Sequence, residues 1–145
     1  MDFVHDLLLN YYFLTFVAAW ATSILLKAGL HAWKKRKRFN LKDGFQNGGM
    51  PSSHTTIVAA LTFGLLFRTG LSDLFFVSAI FASIVMSDAI RIRKNVGLQG
   101  EKLNELLKKF DEKTIRVVYG HSGTQVLAGM VLGFFCALIF KIILF

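Results

Sequence analysis

Four long apolar runs dominate the chain, at residues 7–30, 55–67, 71–90 and 123–145. A stretch of this length with few charges cannot be covered by the small polar surface a 145-residue globule offers, so it reads as a membrane-crossing helix. The expectation is an all-α, integral-membrane helical bundle of about four transmembrane helices, forming one domain over residues 1–145. Hydrophobic residues make up 54% of the chain and only one proline interrupts it, which excludes an ordinary soluble domain. The first run carries Asp2 and Asp6 at its amino side, and its positive cluster follows rather than precedes it, so it reads as a mature helix and not a secretory signal. Tyr11 and Tyr12 suit a membrane interface.

The net charge of +8 is concentrated between the runs. Fourteen of the seventeen Lys and Arg residues lie in two connecting segments, six from Lys34 to Lys42 and eight from Arg91 to Arg116. An even number of crossings puts both segments on one side, which the positive-inside rule makes cytoplasmic, with both termini outside. The expected location is therefore a cell membrane, multi-pass, and the expected partners are anionic lipids rather than nucleic acid. Residues 98–110 place Leu103, Leu107 and Phe110 on one helical face beside Lys102, Lys108 and Lys109, the pattern of an amphipathic helix lying on that cytoplasmic surface. In the last run Gly129 and Gly133 form a small-xxx-small pattern, which permits close helix approach and leaves a homodimer open. The single cysteine, Cys136, lies within that run and excludes intrachain disulfides and Cys-based metal sites, leaving packing as its role.

The second run is short. Its thirteen residues span roughly 20 Å of helix against about 30 Å of hydrocarbon. Either its helix begins below the head groups, or GGMPSSH (residues 48–54) fills the missing depth as irregular backbone, which membranes accept only beside protein or water. MPSSH reads as a helix start, with Pro51 ending what precedes and Ser52 or Ser53 capping the first turn. Glycines ahead of a helix amino terminus also form an anion cradle. A second histidine, His121 in YGHSGTQ, precedes the last run, with Gln125 one turn beyond on the same face. Paired histidines can act as nucleophile and proton donor when their surroundings separate their pKa values. Lys27, near the basic end of the first run, either snorkels to the surface or faces an internal anion.

GGMPSSH, then SDAIRIRK with VGLQGEKLN, then GHSGTQVLAGMVLG, together resemble the divergent type-2 phosphatidic acid phosphatase family, related to the vanadium-dependent haloperoxidases. The matches run in order over almost the whole chain. The resemblance implies a vanadate-sensitive lipid phosphate phosphatase working without metal or other cofactor through a phosphohistidine, on a lipid of the phosphatidic acid, phosphatidylglycerophosphate or polyprenyl phosphate type. It implies His121 as nucleophile and His54 as acid and base. Lys27, Gly49, Ser52, Ser53, Arg93 and Lys94 would hold the phosphate, with Arg116 the alternative cation. Asp88 is expected to pair with one of the neighbouring arginines, and Gln99 and Asn104 to order a loop.

The chain departs from this pattern where relatives carry a carboxylate four residues after the nucleophilic histidine: here Gln125 stands. An amide can hold a ring N–H but supplies no charge. The alternative reading is therefore a catalytically weak or silent relative that binds or moves anionic lipids. Where relatives tend to show Gly-Val-Arg-Arg, this chain has Arg91, Ile92, Arg93 and Lys94, which adds charge.

Overall fold

The computed structural model describes residues 9–46 and 48–145, and within them every regular element is helical. The expectations for Asp2, Asp6 and the start of the first run at residue 7 lie outside the described residues. In chain order α1 spans Tyr11–Lys35, a 3-10 turn Leu41–Phe45, α2 Ser53–Thr69, α3 Asp73–Ser87, a π-helical turn Asp88–Ile92, α4 Arg93–Lys109 and α5 Gly123–Leu144. Three stretches among the described residues are long and apolar enough to cross a membrane: α1, the continuous Asp73–Lys109 and α5. The fourth bundle member, α2, has 17 residues, or about 25 Å, and remains short of a full crossing. The missing depth is shared: Ser53 and His54 are already helical, and only residues 48–52 are irregular.

Helix α1 outruns its apolar stretch. Asn10 caps it by accepting from the N–H groups of Tyr12 and Phe13, and it continues through Lys34 and Lys35 to a left-handed Arg36 at φ 49°. Lysines in the last turn complement the negative end of the helix dipole, so the basic run begins as helix rather than loop. The separate surface helix expected over residues 98–110 is instead the far part of α4, which continues α3 through the π turn. A change from apolar to charged side chains does not end a helix; that takes Pro, Gly in a left-handed cap, or a competing cap, and none occurs between Ser87 and Lys109. At 37 residues, about 55 Å, this helix exceeds any bilayer core. Leu103, Leu106 and Phe110 remain exposed along it.

The centre of the bundle is α2 against α5, the most extensive contact in the molecule, with α1 beside both and α3 on the outer side of α2. Small residues allow it. A β-carbon on Gly133 would lie 2.5 Å from the Thr56 carbonyl oxygen, and one on Gly129 2.6 Å from that of Ser52. The small-xxx-small pattern is thus occupied within one chain, by α2, and the seam that left a homodimer open is covered. Ala19, Ala60 and Cys136 fill the adjoining core, as expected for the cysteine. Thr62 and Ser78, hydroxyl to hydroxyl at 2.8 Å, tie α2 to α3.

Replacing Gly133 with Val is expected to cost about 1–3 kcal/mol, because backbone rather than a flexible side chain occupies the space. A lowered melting temperature in detergent checks it; an unchanged one would mean that the two helices are not in this contact.

At the far end from the basic segments, Tyr11 corrects its sequence reading. It is 2% exposed and its hydroxyl donates to the Ala137 carbonyl at 2.8 Å, so it ties α1 to α5 rather than marking an interface. The Arg68 guanidinium lies 5.5 Å from its ring centroid, and 4.0 Å from that of Phe145.

Candidate active site

The site lies where α2 and α5 begin, at the basic end of the bundle. Two backbone joints and one side-chain clamp bring the two histidines there. The Ser52 N–H donates to the Gln125 carbonyl at 3.1 Å, which clips the start of α2 to the first turn of α5. The His121 N–H donates to the Ala89 carbonyl at 2.9 Å, which docks the extended segment before α5 onto the π turn. Gly120 makes that approach feasible, since a β-carbon would sit 2.6 Å from the Lys94 nitrogen and 2.7 Å from the Ala89 oxygen. Asn104 holds the same segment from the other side, accepting from the Ile115 N–H at 2.8 Å and donating to its carbonyl at 2.9 Å. Asn104 therefore orders the loop, as expected. A π turn re-registers a helix and commonly marks a functional site; here it supplies the carbonyl that holds the histidine segment.

A cavity of about 160 Å³ opens between these joints, with Lys27, Ser53, His54, Arg93 and His121 all on its wall. Five residues expected at the site from sequence are thus brought together from four separate elements. Lys27 is 8% exposed, so it faces inward rather than snorkelling. Arg93 is steered by Asp88, whose Oδ2 accepts from its Nε at 2.7 Å, leaving the other guanidinium nitrogens available. The Ser53 hydroxyl is buried and lacks a hydrogen-bond partner, an unusual state for a polar atom and one that an anion on this wall would relieve.

Other expected residues fall elsewhere. The Ser52 hydroxyl is fully buried and occupied as the cap of α2, accepting from the Thr55 hydroxyl at 3.0 Å, so the serine facing the cavity is Ser53. Gly49 flanks the site: it adopts φ +79°, as does Gly48, and its backbone stands beside the His121 ring. Lys94 and Arg116 are exposed and do not line the cavity. Sequence reading did not find the apolar side of the cavity, formed by Trp20, Ile24, Phe45, Val118 and Tyr119. Trp20 and Phe45 pack edge to face at 6.2 Å and are each well exposed. No local pattern marks these residues, which meet only through the fold.

His121 is 8% exposed, and its tautomer follows from its neighbours. Gln125 Oε1 accepts from the Ser122 N–H at 3.1 Å, which identifies that atom as the amide oxygen. The same oxygen lies 3.0 Å from His121 Nδ1, so Nδ1 carries the proton and the lone pair is on Nε2. Gln125 also closes a capping box with Ser122, whose hydroxyl accepts from its N–H at 3.3 Å. The spacing Ser-x-x-Gln in SGTQ was the signal for that box. Burial pushes the imidazole below its ordinary value of 6.5, and the charge of Lys27 acts in the same direction, against the Gln125 hydrogen bond. The ring is therefore neutral at neutral pH.

The arrangement offers an unprotonated imidazole nitrogen, a second imidazole on the same wall, two cations, an unpartnered hydroxyl, and the amino end of a helix. Among the described residues no three His, Cys, Asp or Glu side chains gather into a metal-binding group.

Two comparisons bear on this chain. The profile of the Divergent PAP2 family matches residues 8–136. The uncharacterized membrane protein YuiD of Bacillus subtilis (strain 168) is 32% identical over 152 aligned positions, covering 92% of this chain and 96% of that protein. No solved structure matches.

Proposed function

From the premise that this chain belongs to the Divergent PAP2 family, we propose that it is a membrane phosphatase acting on a phosphorylated lipid through a phosphohistidine. The observation that carries the reading is the convergence of His121, with Nε2 free of its proton, and His54 on one cavity wall with Lys27 and Arg93.

His121 Nε2 attacks phosphorus in line, and the ester P–O bond breaks with its electron pair going to the lipid oxygen, which takes a proton from His54. Burial and the charges of Arg93 and Lys27 lower the pKa of that imidazole, and the negative charge of the bound phosphate is what opposes them and keeps it protonated for this step. Lys27, Arg93, the Ser53 hydroxyl and the first-turn amides of α2 hold the equatorial oxygens, because phosphoryl transfer depends mostly on positioning and charge stabilisation. Water then gives a proton to His54 and attacks the phosphoimidazole; the P–N bond breaks, releasing inorganic phosphate and restoring both histidines. Gln125 keeps the proton on Nδ1 throughout.

The apolar side of the cavity, from Trp20 to Phe45, suits the first carbons of a lipid tail. The concentration of Lys and Arg in the two segments at this end supports a cytoplasmic location for the site and an outside location for both termini. Purified protein is expected to release phosphate from a panel of phosphorylated lipids in the presence of a metal chelator, and vanadate, which mimics the five-coordinate phosphorus, to inhibit it. Lipid binding without phosphate release across the panel would instead favour a silent anionic-lipid binder, the reading for which Gln125 is the specific observation.

A further inference from the structure

A second, larger cavity adjoins the first. It measures about 260 Å³ and lies between the carboxyl end of α1, from Lys27 to Lys35, and the residues Asp43, Gln46 and Gly48 to Met50. Lys27, His31, Lys34 and Lys35 line one side and Asp43 and Gln46 the other. Lys27, Gln46 and Gly48 line both cavities, so the two meet around the Lys27 side chain. The Asp43 carboxylate is engaged by the Gln46 amide at 2.9 Å, and among the described residues no carboxylate forms an ion pair with Lys27, Lys34 or Lys35. Three lysine side chains against one carboxylate leave a net positive chamber.

We propose that this chamber is a second anion subsite, which takes a second phosphoryl group of the same lipid substrate. The inference rests on the phosphatase reading and narrows it to lipids bearing two phosphoryl groups. Spacing on α1 supports it: Lys27, His31 and Lys34 fall at i, i+4 and i+7, one face of the helix, and Lys27 belongs to both chambers. A substrate with one phosphoryl in the catalytic cavity and the next in this chamber keeps Lys27 beside both, with Lys34 and Lys35 on the chamber wall. The second contact is then intramolecular, and it is gained at high effective concentration.

The test uses the full chain in phosphatidylcholine nanodiscs and the double variant Lys34→Gln, Lys35→Gln, neither residue belonging to the catalytic cavity. For diacylglycerol diphosphate kcat/KM is expected to fall by about tenfold or more, and for phosphatidic acid by less than about twofold. Equal losses on both lipids would reduce the lysines to general attraction for anions, and no loss on either would remove them from recognition; both results overturn the proposal. Calorimetric titration of His121→Ala protein with inorganic pyrophosphate and inorganic phosphate reads the subsite without turnover. One pyrophosphate per chain, displaced by phosphate and weakened about tenfold by the double lysine change, is expected. Two independent phosphates per chain, with pyrophosphate no tighter, would assign the chamber to free phosphate and overturn the proposal. If neither lipid is hydrolysed, the phosphatase reading fails, and the pyrophosphate titration still decides the subsite.

Discussion

Replacing His121 with Ala is expected to lower phosphate release by at least about 10⁴-fold while the protein stays folded. The separation of the two effects follows from how the residue is held. Its backbone N–H, not its ring, docks the segment on the Ala89 carbonyl, and an alanine keeps that bond. The ring itself makes one side-chain hydrogen bond, to Gln125 Oε1, whose other donor, the Ser122 N–H, remains. What is lost is the nucleophile. Phosphate release and thermal melting, measured together, check this; turnover that survived would exclude a phosphohistidine on this residue.

The contrast with His54→Ala tests the division of labour between the two rings. Loss of a general acid costs typically about 10²–10⁴-fold, and the loss shrinks when the leaving group needs no proton. A lipid ester with a nitrophenol leaving group is therefore expected to recover activity in the His54 variant and not in the His121 variant. Equal loss on both substrates would remove His54 from the proton-transfer step.

Much of this site was legible because its ingredients are local. Apolar length indicated the bundle, and Gly-Gly-Met-Pro-Ser-Ser-His and Gly-His-Ser-Gly placed both histidines at helix starts, where the structure has them. What escaped depends on register or on distant contacts. Either Ser52 or Ser53 can cap a helix, and the two readings differ by one residue; once Ser52 takes the cap, Ser53 turns to the cavity. The join of α3 to α4 was hidden because the sequence changes polarity at Asp88 without changing backbone preference. Gly129 and Gly133 announced a close approach but not the partner, which is α2 of the same chain. Trp20 and Phe45 share a cavity wall only because Gly44 lets the 3-10 turn press on α1, where its β-carbon would stand 2.5 Å from the Ile24 oxygen.

Gln125→Glu is expected to raise kcat by about 10²-fold, with an upper bound near the roughly 10⁴-fold loss that follows when the triad carboxylate of a serine protease becomes an amide. Gln125 Oε1 already does the geometric work of that carboxylate, accepting from the Ser122 N–H and the His121 ring. It supplies no negative charge when the ring becomes a phosphorylated cation. Glutamate fills the same capping-box position, and its charge meets the positive end of α5, so the fold should tolerate it. The pH profile separates this account from a mere change in packing. The nucleophile must be unprotonated, and burial holds wild-type His121 below 6.5, so the acid limb of kcat/KM lies below that value. A carboxylate at 125 favours the charged ring and moves the limb to higher pH, even as kcat on its plateau rises. A moved limb without a gain in kcat would mean that the amide is already sufficient for the chemistry, and the charge missing from this site would no longer explain a weak enzyme.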